Sequence, residues 1–344
     1  MTVDLSLARA KLYAAIGEQA GFHQQPFTLR PSNIGQCPLR LQFEHEDSLA
    51  GKSGGQVREP RHVWSAYQGE VAEELIALLL GAAGAEIVQP PHDSDEWMEG
   101  VPPDPETGFR PHIDSLIRWP EVGLSDWAIL ELKDLRTMAH LDLLFHGLYQ
   151  ERVYWYQIVS YLRIAELAMR QYAAWEEDHN APGPWTALTK ERVTPQGIFF
   201  VSTAKDPATA NMMAQQQLAT PGYETDPPKN GHTQKQLSMM ALREAKRQRF
   251  EANDSDAAFY LQYVRRDDPS VVETWDDIVN TKRQVELSPR AEPLHNIAVP
   301  EAELADECRW YCPYLERHRN MGLTLLDQLG QSVREAREEQ EKEV

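Results

Sequence analysis

Cysteine is scarce in this chain. Three residues, Cys37, Cys308 and Cys312, are an odd number spread across 344 positions, which excludes the self-contained disulfide framework of a small secreted domain. Basic charge is also short: 34 Lys and Arg against 53 Asp and Glu leave a net charge of −19. That balance excludes a chain that coats nucleic acid through its overall charge, while leaving room for a local basic groove. Long apolar runs are missing too. The longest, Leu75 to Ala85, falls well below the ~18–20 residues of a membrane helix, and the start MTVDLSLARAKLYAAIG lacks the basic residues and apolar block of a secretory leader. The expectation is a soluble, cytoplasmic protein in a reducing compartment, with no membrane partner. What is present is ordinary: 42% hydrophobic and 25% charged residues describe a globular chain and exclude disorder as its main theme. The length suits one elaborated domain or two modest ones.

Residues 4–20 carry apolar positions at helical spacing, and a loop through Pro26 and Pro31 leads to Cys37. From Trp64 to Leu80, the positions Val71, Leu75, Leu78 and Leu79 form the apolar stripe of an amphipathic helix that fades into Gly81 and Gly84. Residues 90–108, with five prolines and six acidic residues, read as a solvated loop. His112–Trp119 and Trp127–Lys133 are short and rich in β-branched and aromatic residues, with a turn at Pro120–Gly123 between them, so they predict an antiparallel hairpin. Helices are expected from about 137 and from Gln150 to about Tyr172, then a strand at Gly197–Thr203, then helices and polar loops. There is no internal repeat.

The chemistry concentrates on the hairpin. Side chains of a strand alternate faces, so Glu131 and Lys133 project together while Leu130 and Leu132 face away. A register that brings Asp114 beside Glu131 would converge two carboxylates on a hard divalent cation such as Mg2+, with Lys133 placed to position an attacking water. Such a set suits phosphodiester hydrolysis, although a solvated face with a surface ion pair has the same pattern. Gly69 to Glu74 puts acidic residues on the helix before the hairpin. Gln157 and Tyr161, at i and i+4, stack on one helical face where both can bond a phosphate or orient the lysine.

The order Gly69-x-x-x-Glu73, Asp114, Glu131-x-Lys133, Gln157-x-x-x-Tyr161 resembles that of the RecB-like nucleases of the PD-(D/E)XK superfamily, over about residues 64–170. The chain is similar to the CRISPR-associated RecB-like iron-sulfur exonucleases and the phage recombination exonucleases. The resemblance implies Asp114 and Glu131 as ligands of Mg2+ or Mn2+, Lys133 as the catalytic lysine, and Gln157 with Tyr161 as substrate-side support. Glu73 stands where the family has a histidine ligand, and Glu73 and Glu74 both remain candidates for that place. A second likeness lies in the cysteines. Several family members clamp a 4Fe-4S cluster with one N-terminal and three C-terminal cysteines; here Cys37, Cys308 and Cys312 are present and His318 replaces the last, with a longer first gap. Three thiolates and an imidazole suit either an iron-sulfur cluster or zinc.

A basic stretch at 229–250 holds six Lys and Arg against one acid, and Lys235, Arg243, Lys246 and Arg247 are its candidate DNA contacts, the alternative being an ordinary solvated helix face. The resulting expectation is a metal-dependent DNA exonuclease of recombination, repair or phage DNA metabolism, in a bacterium or a phage-infected cell, with a recombinase, helicase or CRISPR-adaptation partner. The rivals are a nuclease fold kept as a DNA- or partner-binding module, and a zinc-stabilised interaction protein. The expected fold is α/β, a restriction-endonuclease-like core with a mixed sheet of four or five strands flanked by helices, and a helical cysteine-bearing subdomain formed by both chain ends. Residues 1–63, 64–205 and 206–344 would be the N-terminal segment, the nuclease core and the helical C-terminal region.

Overall fold

The computed structural model describes residues 29–51, 60–90, 103–109, 113–179, 183–225 and 231–287, with the single residues Lys11 and Phe27. The chain divides into two units, the first taking in Leu29–Gly35 and Val57–Val279, the second Gln36–Gln56 and the chain from Asn280.

The first unit is built on five strands in sequence order: β1 (Glu86–Val88), β2 (Ser115–Trp119), β3 (Leu124–Leu135), β4 (Gly197–Ala204) and β5 (Phe259–Arg265). All neighbours are antiparallel except β3 and β4, which run parallel with Glu131 opposite Phe200 and Lys133 opposite Ser202. A parallel pair needs a long crossover, and helices supply it here. In chain order the helices are α1 (Pro31–Ile34), α2 (Pro38–Leu49), α3 (Pro60–Ala82), α4 (Thr137–His146), α5 (Arg152–Asp178), α6 (Pro184–Lys190), α7 (Pro207–Leu218), α8 (Gly222–Thr225), α9 (Gln234–Ala252) and α10 (Pro269–Leu287). The chain is thus an α/β protein with a five-stranded mixed sheet, and among the described residues no helix is long and apolar enough to cross a membrane. The sheet takes in a strand beyond residue 205, where the sequence pattern offers only helices and polar loops.

The expected hairpin forms as β2 and β3, closed by a turn at Pro120–Val122 and by Gly123, whose φ of 87° is the left-handed conformation glycine tolerates best. β3 is central, and its two faces differ. Leu130 and Leu132 enter an apolar cluster with Ile76 and Ala77 of α3, Ile117 of β2 and Val201 of β4. Glu131 and Lys133 turn to the opposite face, under α5.

The α3 helix forms as expected but presents a different stripe. Val71, Leu75, Leu78 and Leu79 are 64%, 54%, 71% and 54% exposed, whereas Ile76 and Ala77 are buried and Leu80 packs beside them. Apolar residues surround this helix in its last turns, so periodicity could not choose a face; the stripe that carries the small Ala77 packs on the sheet. On the other side, α4, α7 and α9 bury Leu141, Leu144, Phe145, Ala210, Ala214 and Phe250 around Ala204 and Ala257. The start of α5 is tied to α10: Trp155 Nε1 donates to Thr274 Oγ1 at 2.7 Å, and the Tyr156 hydroxyl bonds the Asp277 carboxylate.

In the second unit, α2 begins at Cys37, its N-terminal cap, and Phe27 meets His45 edge to face with ring centroids 6.5 Å apart.

Candidate active site

Glu131 lies in the middle of the longest strand, and its side chain has no exposure to solvent. Lys133, two residues on and 20% exposed, pairs its ammonium with Glu131 Oε1. The same oxygen accepts a hydrogen bond from Gln157 Nε2 at 3.0 Å, and Gln157 donates again to the Tyr161 hydroxyl oxygen at 2.9 Å. Gln157 and Tyr161 are one turn apart on the buried face of α5, which fixes both against β3. Glu131 Oε2, by contrast, is buried with no hydrogen-bond partner among the described residues. A buried carboxylate oxygen left without a donor is costly, and sites that tolerate it are those where a cation or substrate supplies the missing interaction.

The electrostatics point the same way. Burial first, and then the adjoining Asp114 carboxyl, push the Glu131 pKa well above the ordinary carboxylate range, against the pull of Lys133. Burial alone would lower the lysine, but Glu131, then Asp114, Tyr161 and Glu73 hold its ammonium well above the usual value. Burial, followed by the same two carboxylates, also raises the Tyr161 phenol well above 10. Two carboxyls crowded beside one ammonium disfavour having both acids charged at once, and a divalent cation between them would hold both in the charged form.

Asp114 is not on a strand, as the pattern implied, but on the bend just before β2. Because Ser115 pairs with Leu130, this bend sets Asp114 one step along, beside Glu131. A third residue holds it there. Tyr172 of α5, fully buried, donates its hydroxyl to Ile113 O at 3.0 Å and accepts from Ile113 N at 3.1 Å, fastening the peptide that precedes Asp114. Of the two glutamates left open, Glu73 is the one whose charge reaches Lys133; Glu74 is exposed. Among the described residues no three Asp, Glu, His or Cys side chains gather into a metal shell, so Asp114 and Glu131 form a pair with Glu73 farther out.

Two contributors escaped the sequence reading. Tyr154 sits three residues before Gln157 on the same helical face, meets Phe200 at a tilt with centroids 6.2 Å apart, and feels both Lys133 and Glu131. Tyr172 continues that face beyond Tyr161. The signal was available in the 154, 157, 161 and 172 spacing of α5, where polar-tipped aromatics recur on a buried stripe.

The basic helix α9 behaves otherwise. Arg243 pairs with Glu224 of α8, Lys246 bonds Gln217 of α7 at 3.3 Å and lies over the Phe145 ring, and Arg247 bonds Glu244 and Leu218 O. Three of the four candidate DNA contacts are thus occupied in holding α7 and α8 onto α9, and of the four only Lys235 is exposed. Cys37 is a free thiol of intermediate exposure, and Cys308, Cys312 and His318 lie outside the described residues.

Comparison with known proteins yields no match, whether to family models, to curated proteins or to solved structures.

Proposed function

We propose that the protein is a metal-dependent deoxyribonuclease of the PD-(D/E)XK type, acting from strand ends, with its active site on β3. The observation that carries this reading is Glu131 Oε2, a fully buried carboxylate oxygen without a hydrogen-bond donor among the described residues, in a carboxyl crowded by that of Asp114 and set beside an ammonium. The order of helix, three antiparallel strands, helical crossover and parallel strand supports it, because that arrangement presents Asp114, Glu131 and Lys133 together, as the resemblance requires.

The donor set fits Mg2+ or Mn2+: Asp114 and Glu131 would hold the ion, with Glu73 at longer range and water completing a shell that hard cations keep partly hydrated. When bound, such an ion neutralises phosphoryl oxygens and makes water more acidic. The chain's own groups do the rest. Gln157 and Lys133 hold Glu131 Oε1, so Oε2 would be the oxygen available to an ion. Lys133 orients the attacking water and offsets the charge that develops on the phosphate. Tyr161 fixes Gln157, Tyr172 fixes the Asp114 bend, and Tyr154 lies within the electrostatic reach of Lys133 and Glu131.

For Cys37, Cys308, Cys312 and His318 we propose a structural 4Fe-4S cluster, with zinc as the alternative; the donor chemistry suits both. Brown protein containing iron and sulfide selects the first, colourless protein containing zinc the second. One observation favours a second reading, a DNA- or partner-binding module without catalysis: the absence of a three-ligand shell among the described residues. Digestion of end-labelled linear and circular DNA with Mg2+, Mn2+ or EDTA separates the two. Metal-dependent loss of linear DNA supports the exonuclease; intact DNA under every condition, with folded protein, supports the module.

A further inference from the structure

The five-stranded sheet has two edges, and they differ. β1 is three residues long and its Glu86 pairs with Arg118 at 2.6 Å, so that side ends in a short, charged strand of the kind that discourages further pairing. β5 runs seven residues, Phe259–Arg265, and from Ala257 to Val264 it carries no charge and no proline. Its pairing with β4 runs through without a break in register, so no bulge turns the edge away.

The ladder decides which groups of β5 point outward. Ala204 N donates to Ala258 O, and Arg266 N to Gln196 O, at the two ends of the β4–β5 pair. The even residues of β5 therefore bond β4, and the odd ones, Phe259, Leu261, Tyr263 and Arg265, aim their N–H and C=O away from the sheet. Both ends of this outward row are closed. Phe259 O accepts from Asn253 Nδ2 at 2.7 Å, and Arg265 O from Asp268 N at 3.3 Å. Between them, the N–H and C=O of Leu261 and Tyr263 have no hydrogen-bond partner among the described residues. Phe259, Leu261 and Tyr263 are also 45%, 50% and 40% exposed. An open row of backbone donors and acceptors beside apolar side chains is a template for one more strand.

We infer that a second copy of this chain supplies that strand: β5 of one molecule pairs antiparallel with β5 of the other about a two-fold axis at Gln262. The open groups lie symmetrically on either side of Gln262, so in this register Leu261 of each copy exchanges both backbone bonds with Tyr263 of the other, and every open group is satisfied. The same register sets an aliphatic side chain against an aromatic one twice on one face. Charge favours meeting at this strand. Two chains of net charge −19 repel over most of their surface, whereas β5 is uncharged up to Arg265. One strand pair is small beside the ~800 Å2 per partner of a standard interface, so the dimer exchanges with monomer.

The test is sedimentation velocity of the full chain at rising concentration, with wild type, Leu261→Lys and Tyr263→Lys, joined to amide hydrogen exchange of wild type when dilute and when concentrated. Wild type should move from 39.3 kDa toward twice that mass, and either lysine should weaken association about tenfold or more, because it strikes both Leu261–Tyr263 pairs at once. The Leu261 and Tyr263 amides should exchange freely in dilute protein and be protected in concentrated protein, while those of Tyr260, Gln262 and Val264 stay protected throughout. Wild type that is monomeric at every concentration overturns the inference. A dimer that both lysine variants keep, with the two amides still exchanging freely, overturns it in favour of another face, such as the exposed Val71, Leu75 and Leu78 of α3. Protection of the two amides in dilute monomer overturns it too, by assigning the edge to another segment of the same chain. If a lysine variant fails to fold, the exchange pattern of wild type decides.

Discussion

Charge is used in opposite ways on β3 and on α9. The cluster around β3 gathers Glu131 and Lys133 with Asp114 from the bend before β2, and there one buried carboxylate oxygen lacks a donor among the described residues and the Glu131 pKa is driven up by burial. On α9, Arg243, Lys246 and Arg247 look like a binding surface in the sequence, yet each finds an internal partner. The difference teaches that the useful signal of a site is not the charge itself but charge that the fold leaves incompletely satisfied. Charges that the fold completes act as scaffold.

If that contrast is right, substitutions in the two regions separate activity from stability. The largest effect is expected for Lys133→Ala, which should lower cleavage on the order of 10²–10⁴-fold while binding to DNA persists. Glu131→Gln should abolish cleavage equally, at some cost in melting temperature because Lys133 loses its carboxylate partner. Cleavage retained by that variant would put Glu131 with the scaffold charges. The buried Tyr172→Phe change should cost about 1–3 kcal/mol in denaturant unfolding, because it strips the partner from both polar groups of Ile113. It should also reduce cleavage by loosening the Asp114 bend. Arg243→Ala on α9 should do the reverse of Lys133→Ala, lowering stability by about 1 kcal/mol with cleavage rate and DNA affinity unchanged. Loss of DNA affinity there would return α9 to the binding surface.

A smaller, pH-dependent effect belongs to the scaffold side. His140 is fully buried with Nδ1 2.8 Å from Ser202 Oγ, and burial lowers its pKa from 6.5 to about 4. The unfolded chain therefore binds the proton first as pH falls. Stability is full above pH 6.5 and is lost progressively down to about 4, by at most about 3 kcal/mol. Urea unfolding at several pH values checks this, and His140→Gln should flatten the profile.

Part of the site was legible because strand geometry is so regular. A period of two decides that Glu131 and Lys133 share a face, but the register that brings Asp114 to Glu131 also depends on an irregularity between Ile117 and Trp119, which the Pro120–Gly123 turn does not foretell. The helical spacing of Gln157 and Tyr161 was equally readable. What could not be read were choices made by tertiary packing. The face of α3 that turns inward is undetermined in a helix apolar on several sides. The partners of Arg243, Lys246 and Arg247 lie on α7 and α8, 19 to 29 residues away. β5 lies among polar segments, and its residues Phe259, Leu261 and Tyr263 are exposed, so no buried stripe marks it.

The central claim is that Glu131 and the adjoining Asp114 form a cation site, and the most direct measurement is the melting temperature of the protein titrated with Mn2+. Binding to the folded state alone stabilises in proportion to the logarithm of free ion over its dissociation constant. Wild type should therefore gain stability steadily as Mn2+ rises, while Glu131→Gln and Asp114→Asn should gain little or none. An equal gain in all three proteins, or no gain in wild type, would contradict the assignment.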